Sequence, residues 1–321
     1  MKKITAFLLT LLLALSLVGC SAVGSDSDKL SVVCTTFPQY DWVRSIANGV
    51  ELELTLLMDD GIDLHNYQPT AADMAKISSC DLFIFVGGES DDWTEGALAN
   101  ATSEKLLYID MMSVEGVKTS VEEHIEGMED EGDEDGHEEE LDEHIWLSLS
   151  NCAVLCRSIA NALITLDPDN EQLYESNLSA YLAEVDELYA EYAELAEEVS
   201  GKTVLFADRF PFRYLTDDLG LSYYAAFKGC SAESEASFAT VMFLAKKVDE
   251  LGLKYVFTTE TSDLKLANTV INSTSSKDAE ILTLDALQSV TTERIEAGET
   301  YLGVMRSNLE TLKYAFLKMD A

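Results

Sequence analysis

The sequence predicts an α/β protein of two lobes, each built on a parallel sheet, joined by one long rigid helix. Three observations predict it. Short apolar runs rich in β-branched residues alternate with helix-like segments from Leu30 to Leu166. A single apolar repeat at three-and-four spacing then runs unbroken from Leu173 to Val199. Strand–helix alternation resumes after Gly201. A β-α-β-α order implies a parallel sheet with helices on both faces. The chain has 321 residues, more than one typical core accommodates, so two such units are expected.

The first lobe is assigned to residues 30–166. Leu30 to Thr35 is a short strand, and Tyr40 to Asn48 is a helix ended by Gly49. Leu52 to Leu57 is a second strand. Pro69-Thr70 opens a helix through Ile77, with Thr70 as N-cap and Asp73 three residues on. Leu82 to Val86 is a continuous apolar run, the pattern of a strand covered on both faces, and Gly87-Gly88 breaks it. A helix over Trp93–Ala101 and a strand over Leu106–Ile109 follow. Residues 112–143 form an acidic loop; its stretch from Met112 to Leu141 lacks apolar periodicity and is expected to lack order without a cation. Asn151 to Leu166 is amphipathic and stops at Asp167-Pro168.

Residues 167–200 carry the long helix. Leu173, Tyr174, Leu178, Tyr181, Val185, Leu188, Tyr192, Leu195 and Val199 share one face over roughly 45 Å at 1.5 Å per residue. Such an element is a stiff spine. The second lobe, residues 201–321, contains strands at Thr203–Phe206, Tyr223–Ala226, Lys254–Thr258 and Ile281–Leu284, and helices at Ser237–Leu251 and about Tyr301–Lys318.

Residues 1–20 have the form of a signal peptide. Lys2 and Lys3 precede an apolar stretch too short to span a bilayer comfortably, and Leu17-Val18-Gly19-Cys20 has the form of a lipobox, with acylation expected at Cys20. Residues 21–29 are a small, polar tether. No other stretch is judged long and apolar enough to cross a membrane, so the mature chain is expected outside the cytoplasm, held on the membrane by lipid. The net charge of -38 excludes nucleic acid as a partner and suits a protein that gathers cations. Glu122 to Glu143 holds 14 acidic residues and no Lys or Arg, yet this is under half of the net charge, so the acidity is general. Apart from Cys20, five cysteines remain. Cys152 and Cys156 are helical neighbours, while Cys34 and Cys80, beside strands, are either a disulfide or two buried thiols.

Four histidines exist. His65 lies in Asp60-Gly-Ile-Asp-Leu-His65-Asn-Tyr-Gln-Pro69, with Asp63 and Tyr67 placed to orient its ring, and His144 lies in Asp142-Glu-His144-Ile-Trp146, where Ile145 and Trp146 tuck the segment into the core. Neutral imidazoles flanked by carboxylates are transition-metal donors. Ligands collect beyond the carboxyl ends of strands in open parallel sheets, and His65, Asp208, Glu260 and Asp285 all follow strand-like runs. Glu260 is either a donor or a supporting acceptor. His124 and His137, inside the acidic run, suit weak and fast-exchanging capture.

These residues together resemble the solute-binding lipoproteins of zinc and manganese ABC importers. The likeness covers nearly all of the mature chain: the lipobox, the Gly61–Pro69 loop, the acidic insertion, Asp142-Glu-His144-Ile-Trp146, the spine and the Thr259-Glu260 strand end. It implies one metal ion in the cleft between the lobes, a monomeric receptor, and delivery to a membrane permease driven by a cytoplasmic ATPase. It implies His65 and His144 as ligands from the first lobe. The third ligand follows the first strand of the second lobe; Phe206-Ala-Asp208-Arg209 has no histidine, so Asp208 is chosen, although an ungapped count back from Tyr214 lands on Arg209. Asp285 matches the fourth. Two carboxylates would favour Mn2+ or Fe2+, whereas the histidine-bearing insertion favours Zn2+, and zinc is preferred. Affinity is expected to fall below about pH 6.5. The alternatives are a membrane-anchored metallohydrolase with Glu260 as base, and an adhesin or scaffold with structural metal. The hydrolase is disfavoured because His-Glu-x-x-His and Gly-x-Ser-x-Gly are missing.

Overall fold

The computed structural model describes residues 29–129, 140–231 and 235–317. The first lobe runs β1 (Leu30–Cys34), α1 (Phe37–Ile46), β2 (Leu52–Leu56), α2 (Ala71–Ser79), β3 (Leu82–Phe85), α3 (Trp93–Ala99) and β4 (Leu107–Asp110). Its strands pair in parallel in the order β2-β1-β3-β4. All four residues of β3 are buried, as its unbroken apolar run requires. At the start of α2, Asp73 N donates to Thr70 Oγ1 at 3.2 Å and Thr70 N donates to Asp73 Oδ2 at 3.0 Å, a reciprocal cap.

Two helices follow, α4 (Leu149–Leu166) and α5 (Glu171–Val199). By length and composition α4 is apolar enough to cross a membrane, which corrects the expectation that no such stretch exists past the N-terminus. Here it is a core helix: Cys152, Leu155, Ile159 and Leu163 are fully buried. The spine, α5, has 29 residues and buries Tyr174, Tyr181, Val185, Leu188, Tyr192, Leu195 and Val199 along one face. It grips both lobes. Asn177 Nδ2 donates to the Ile46 and Asn48 carbonyls at the end of α1, and Tyr192 Oη donates to Met305 O at 2.7 Å. Leu188 is fully buried at the centre of this face. Leu188→Ala is expected to cost about 2–5 kcal/mol through lost transfer energy and a residual cavity. Urea unfolding would show this as a lowered midpoint with an unchanged slope.

The second lobe comprises β5 (Thr203–Phe210), α6 (Arg213–Leu219), β6 (Ser222–Lys228), α7 (Phe238–Leu251), β7 (Tyr255–Thr258), α8 (Lys265–Ser273), β8 (Glu280–Thr283), α9 (Thr292–Glu296) and α10 (Tyr301–Leu317). Its parallel order β6-β5-β7-β8 repeats that of the first sheet. The sequence left α6, α8 and α9 unassigned. In α8, Asn, Thr and Ser hide the helix because their side chains compete for backbone hydrogen bonds.

One hydrophobic core runs through the first lobe, the spine and the inner face of the second lobe, and a smaller one lies around Leu205, Leu244, Val256 and Val270. Trp146 joins the lobes: its Nε1 donates to Ala286 O at 2.8 Å, and Tyr301 Oη donates to Trp146 O at 2.6 Å. The expectation of no order from Met112 to Leu141 is corrected for the described part. Residues 112–129 pack on the protein, Met128 is buried, and Glu122 N donates to Glu140 O at 2.8 Å. Cys34, Cys80, Cys152 and Cys156 are buried free thiols, so Cys34 and Cys80 form no disulfide.

Candidate metal centre

Segments from both lobes converge on the site: the loops after β2, β6 and β8 and the stretch before α4 each bring a side chain to it. After β2, Leu64–Asn66 form a short 3-10 turn in which the Asp63 carboxylate accepts from His65 N at 3.1 Å. Leu64 is buried and anchors the turn, and the His65 side chain is only 4% exposed. Ile145–Leu147 make a second 3-10 turn, fully buried, which fixes His144 at its N-terminal edge. The two Nε2 atoms lie 3.3 Å apart. Two nitrogens bound tetrahedrally to one zinc at about 2.05 Å would be separated by about 3.3 Å.

Each ring is oriented from behind. His144 Nδ1 lies 2.9 Å from Asp142 Oδ1, which also accepts from His144 N. His65 Nδ1 lies 2.8 Å from Ser90 Oγ and 3.4 Å from Glu143 Oε2. Acceptors behind Nδ1 leave Nε2 with its lone pair toward the cleft. Burial, and then the neighbouring His144, hold the His65 pKa well below the usual histidine range. Burial opposes charge on His144 too, but the Asp142 carboxylate outweighs it and the pKa is raised.

Tyr67 does not support the His65 ring as expected; it packs against Trp93 at 5.7 Å. Nor does the structure bring Asp208 or Asp285 into the cluster. Asp208 Oδ2 accepts from Thr259 N and Oγ1 at 3.0 and 2.9 Å, and its Oδ1 accepts from Arg209 N at 2.9 Å. Asp285 Oδ2 pairs with Arg294 at 2.5 Å and Oδ1 accepts from Leu287 N at 2.8 Å. Asp208 thus ties β5 to the segment after β7, and Asp285 ties its own loop. Arg209 instead reaches across the cleft to Asp63 at 2.5 Å. Glu260 Oε2 accepts from Ala286 N at 2.9 Å, its buried Oε1 has no hydrogen-bond partner among the described residues, and burial followed by the charge of Asp285 raises its pKa to about 7. His124 is exposed in the stem of the acidic loop, 3.2 Å from Glu129 O. His137 and Cys20 lie outside the described residues.

Residues that the sequence did not single out complete the cluster. Gln288 Nε2 lies 2.6 Å from His144 Nε2 and 3.2 Å from His65 Nε2. Cys230, after β6, places a donor within 4.8 Å of both imidazoles. Gly229 allows this approach, since a Cβ there would stand 2.8 Å from Phe210 O and 3.1 Å from His144 Cε1. Gly88 is equally constrained: φ is +82° and a Cβ would collide with the Glu143 carboxylate. A cleft of about 340 Å³ is lined by Glu89, Glu122, Glu140, Glu143, Lys228, His65 and Cys230 among others. Burial raises the pKa of Glu122 and Glu143. Crowded, partly desolvated acids beside two imidazoles favour a bound cation.

Asp91 holds the Ser90 loop from beneath. Its Oδ2 accepts from Val86 N at 2.8 Å and Gly87 N at 3.1 Å, and burial raises its pKa from 3.8 to about 7. A carboxyl raised in the fold lends stability below its unfolded pKa, and that contribution is lost as pH rises through about 7. Asp91→Asn is therefore expected to stabilise the metal-free protein by about 1–3 kcal/mol at pH 8 and not at pH 4. Thermal melts at the two pH values would refute this by showing equal shifts.

Two parallel-sheet lobes braced by one helix thus bring two imidazoles together beside an acidic cleft, a donor arrangement suited to a metal cation. Over residues 32–315 the chain matches the model of the family described as "Zinc-uptake complex component A periplasmic", and it belongs to that family. It is 34% identical to the zinc-binding lipoprotein AdcA of Streptococcus pneumoniae (strain ATCC BAA-255 / R6), over 98% of this chain and 61% of that protein. It thus spans about three fifths of the length of that relative. It is 27% identical to the high-affinity zinc uptake system protein ZnuA of Bacillus subtilis (strain 168), over 91% of this chain and 89% of that protein. Among solved structures, the Zn(II)-bound ZnuA-like domain of Streptococcus pneumoniae AdcA superposes with a TM-score of 0.71 at 28% identity, covering 90% of this chain and 99% of that one. The metal-dependent lipoprotein YcdH of Bacillus subtilis gives 0.73 at 25% identity, covering 90% of this chain and all of that one.

Proposed function

We propose that this chain is an extracytoplasmic receptor, anchored through lipid on Cys20, that captures Zn2+ and delivers it to the permease of an ABC importer driven by its ATPase. One observation carries the reading: His65 and His144 present their Nε2 atoms 3.3 Å apart, each backed by an acceptor at Nδ1. The family and the zinc-binding relatives support it. The geometry also weakens the case for Mn2+ or Fe2+. Harder ions favour carboxylates, and both candidate carboxylates, Asp208 and Asp285, are engaged elsewhere.

The acidic cleft draws cations toward the imidazoles, and Zn2+ replaces the contacts that Gln288 makes with them. The lobes are braced by Trp146, Tyr301 and α5, so closure on metal is small. A permease then distinguishes loaded from free receptor through this limited change. The test is elemental analysis of the purified protein with zinc–manganese competition, together with zinc accumulation by cells that lack the chain. Ready displacement of zinc by equimolar manganese, or undiminished accumulation in its absence, would overturn the reading. Acylation is tested by fatty-acid labelling, which Cys20→Ala should abolish.

A further inference from the structure

We propose that Cys230 binds the captured ion as a thiolate, making this a two-nitrogen, one-sulfur site selective for thiophilic cations. The inference rests on the metal-capture reading and deepens it. The donor atoms of His65, His144 and Cys230 all lie within 4.8 Å of one another. A zinc ion 2.0–2.1 Å from nitrogen and about 2.3 Å from sulfur would need only small movements to meet all three.

Among the described residues, no carboxylate joins the two imidazoles within 4.8 Å. Asp208 is held by Thr259, and Asp285 is held by Arg294. Arg209 occupies the strand end from which a second-lobe acid would reach, and its guanidinium is turned to Asp63. Gln288 is neutral. Glu143 is 3% exposed and its Oε2 has no hydrogen-bond partner among the described residues, but it lies behind His65, beside Nδ1. Among the described residues, the Cys230 sulfur is the anionic donor within 4.8 Å of both imidazoles. Gly229 lets the chain pass against the His144 ring, and Glu122 Oε1 accepts from Cys230 N at 2.8 Å, fixing the position.

Burial and the surrounding acids keep the thiol protonated when no cation is present. Binding exchanges one bond for another: the S–H bond breaks, a metal–sulfur bond forms, and the proton leaves to water with no change of oxidation state. A Gln288 amide turned by a half rotation offers its oxygen as a fourth donor. Thiolate and imidazole together favour Zn2+ or Cd2+ over Mn2+.

Cobalt substitution of the purified chain tests this. Co2+ should give visible ligand-field bands from a tetrahedral site and a near-ultraviolet sulfur-to-cobalt charge-transfer band. Cys230→Ser and Cys230→Ala should keep the ligand-field bands, lose the charge-transfer band and bind zinc at least about tenfold more weakly. Ligand-field bands without charge transfer in the unsubstituted protein, or charge transfer that persists in both variants, would overturn the thiolate while leaving metal capture intact. Failure of the unsubstituted protein to bind Co2+ or Zn2+ would overturn both.

Discussion

Zinc affinity is expected to fall by more than about 100-fold in His144→Ala, and by a similar factor in His65→Ala, because each change removes one of two converging nitrogen donors. The two variants should differ in stability. His144 is fully buried against Trp146, with ring centroids 5.3 Å apart, so its truncation leaves a cavity. His65 lies at the cleft and its ring is replaceable by water. Calorimetric titration of both proteins, with circular dichroism to confirm folding, separates loss of a donor from loss of the fold. Unchanged affinity in a folded His65→Ala protein would remove the central assignment.

The second large effect concerns pH. An ordinary histidine pair would release metal around pH 6.5. Here the two rings diverge: His65 is held below the usual range, so protons compete weakly for it, whereas Asp142 raises His144. In addition to the steady rise with pH from release of the Cys230 proton, metal must displace the His144 proton, so this contribution to affinity should rise with pH until above the raised pKa. Below it, each displaced proton costs about tenfold in affinity per pH unit. The decline should therefore begin above 6.5. Asp142→Asn removes the opposing charge, and burial then dominates His144. Its acid midpoint should move downward while affinity at pH 8 drops about 10–100-fold through lost orientation. A chelator competition series from pH 5 to 8 would show the two profiles converging at low pH. Parallel profiles would mean that Asp142 does not control the proton.

The site was only partly legible in the sequence. His65 and His144 were recognisable because each sits in a local frame that explains it: Asp63 two residues before one, Asp142 two residues before the other. In both cases the supporting contact is short-range along the chain. Asp285 was placed correctly at a strand end, whereas Asp208 lies within β5, which runs on to Phe210, and in neither case does position along the strand set the direction of the side chain. Thr259 and Arg294 captured them through contacts 51 and 9 residues away. Cys230 and Gln288 carried no local signal. Each reaches the imidazoles only because the loops after β6 and β8, the two outer strands of the second sheet, converge on them in three dimensions.

Periodicity by itself determined the strand–helix alternation, the long spine and the burial of Tyr174, Tyr181, Val185, Leu188, Tyr192, Leu195 and Val199, though not Leu173, which is exposed, because those features depend on neighbours three or four residues apart or on strand-length apolar runs. Composition determined the acidity. Only the tertiary structure decided which donors share a cation-sized space. That outcome rests on packing between segments up to 223 residues apart, as between His65 and Gln288, and no local pattern encodes such a distance.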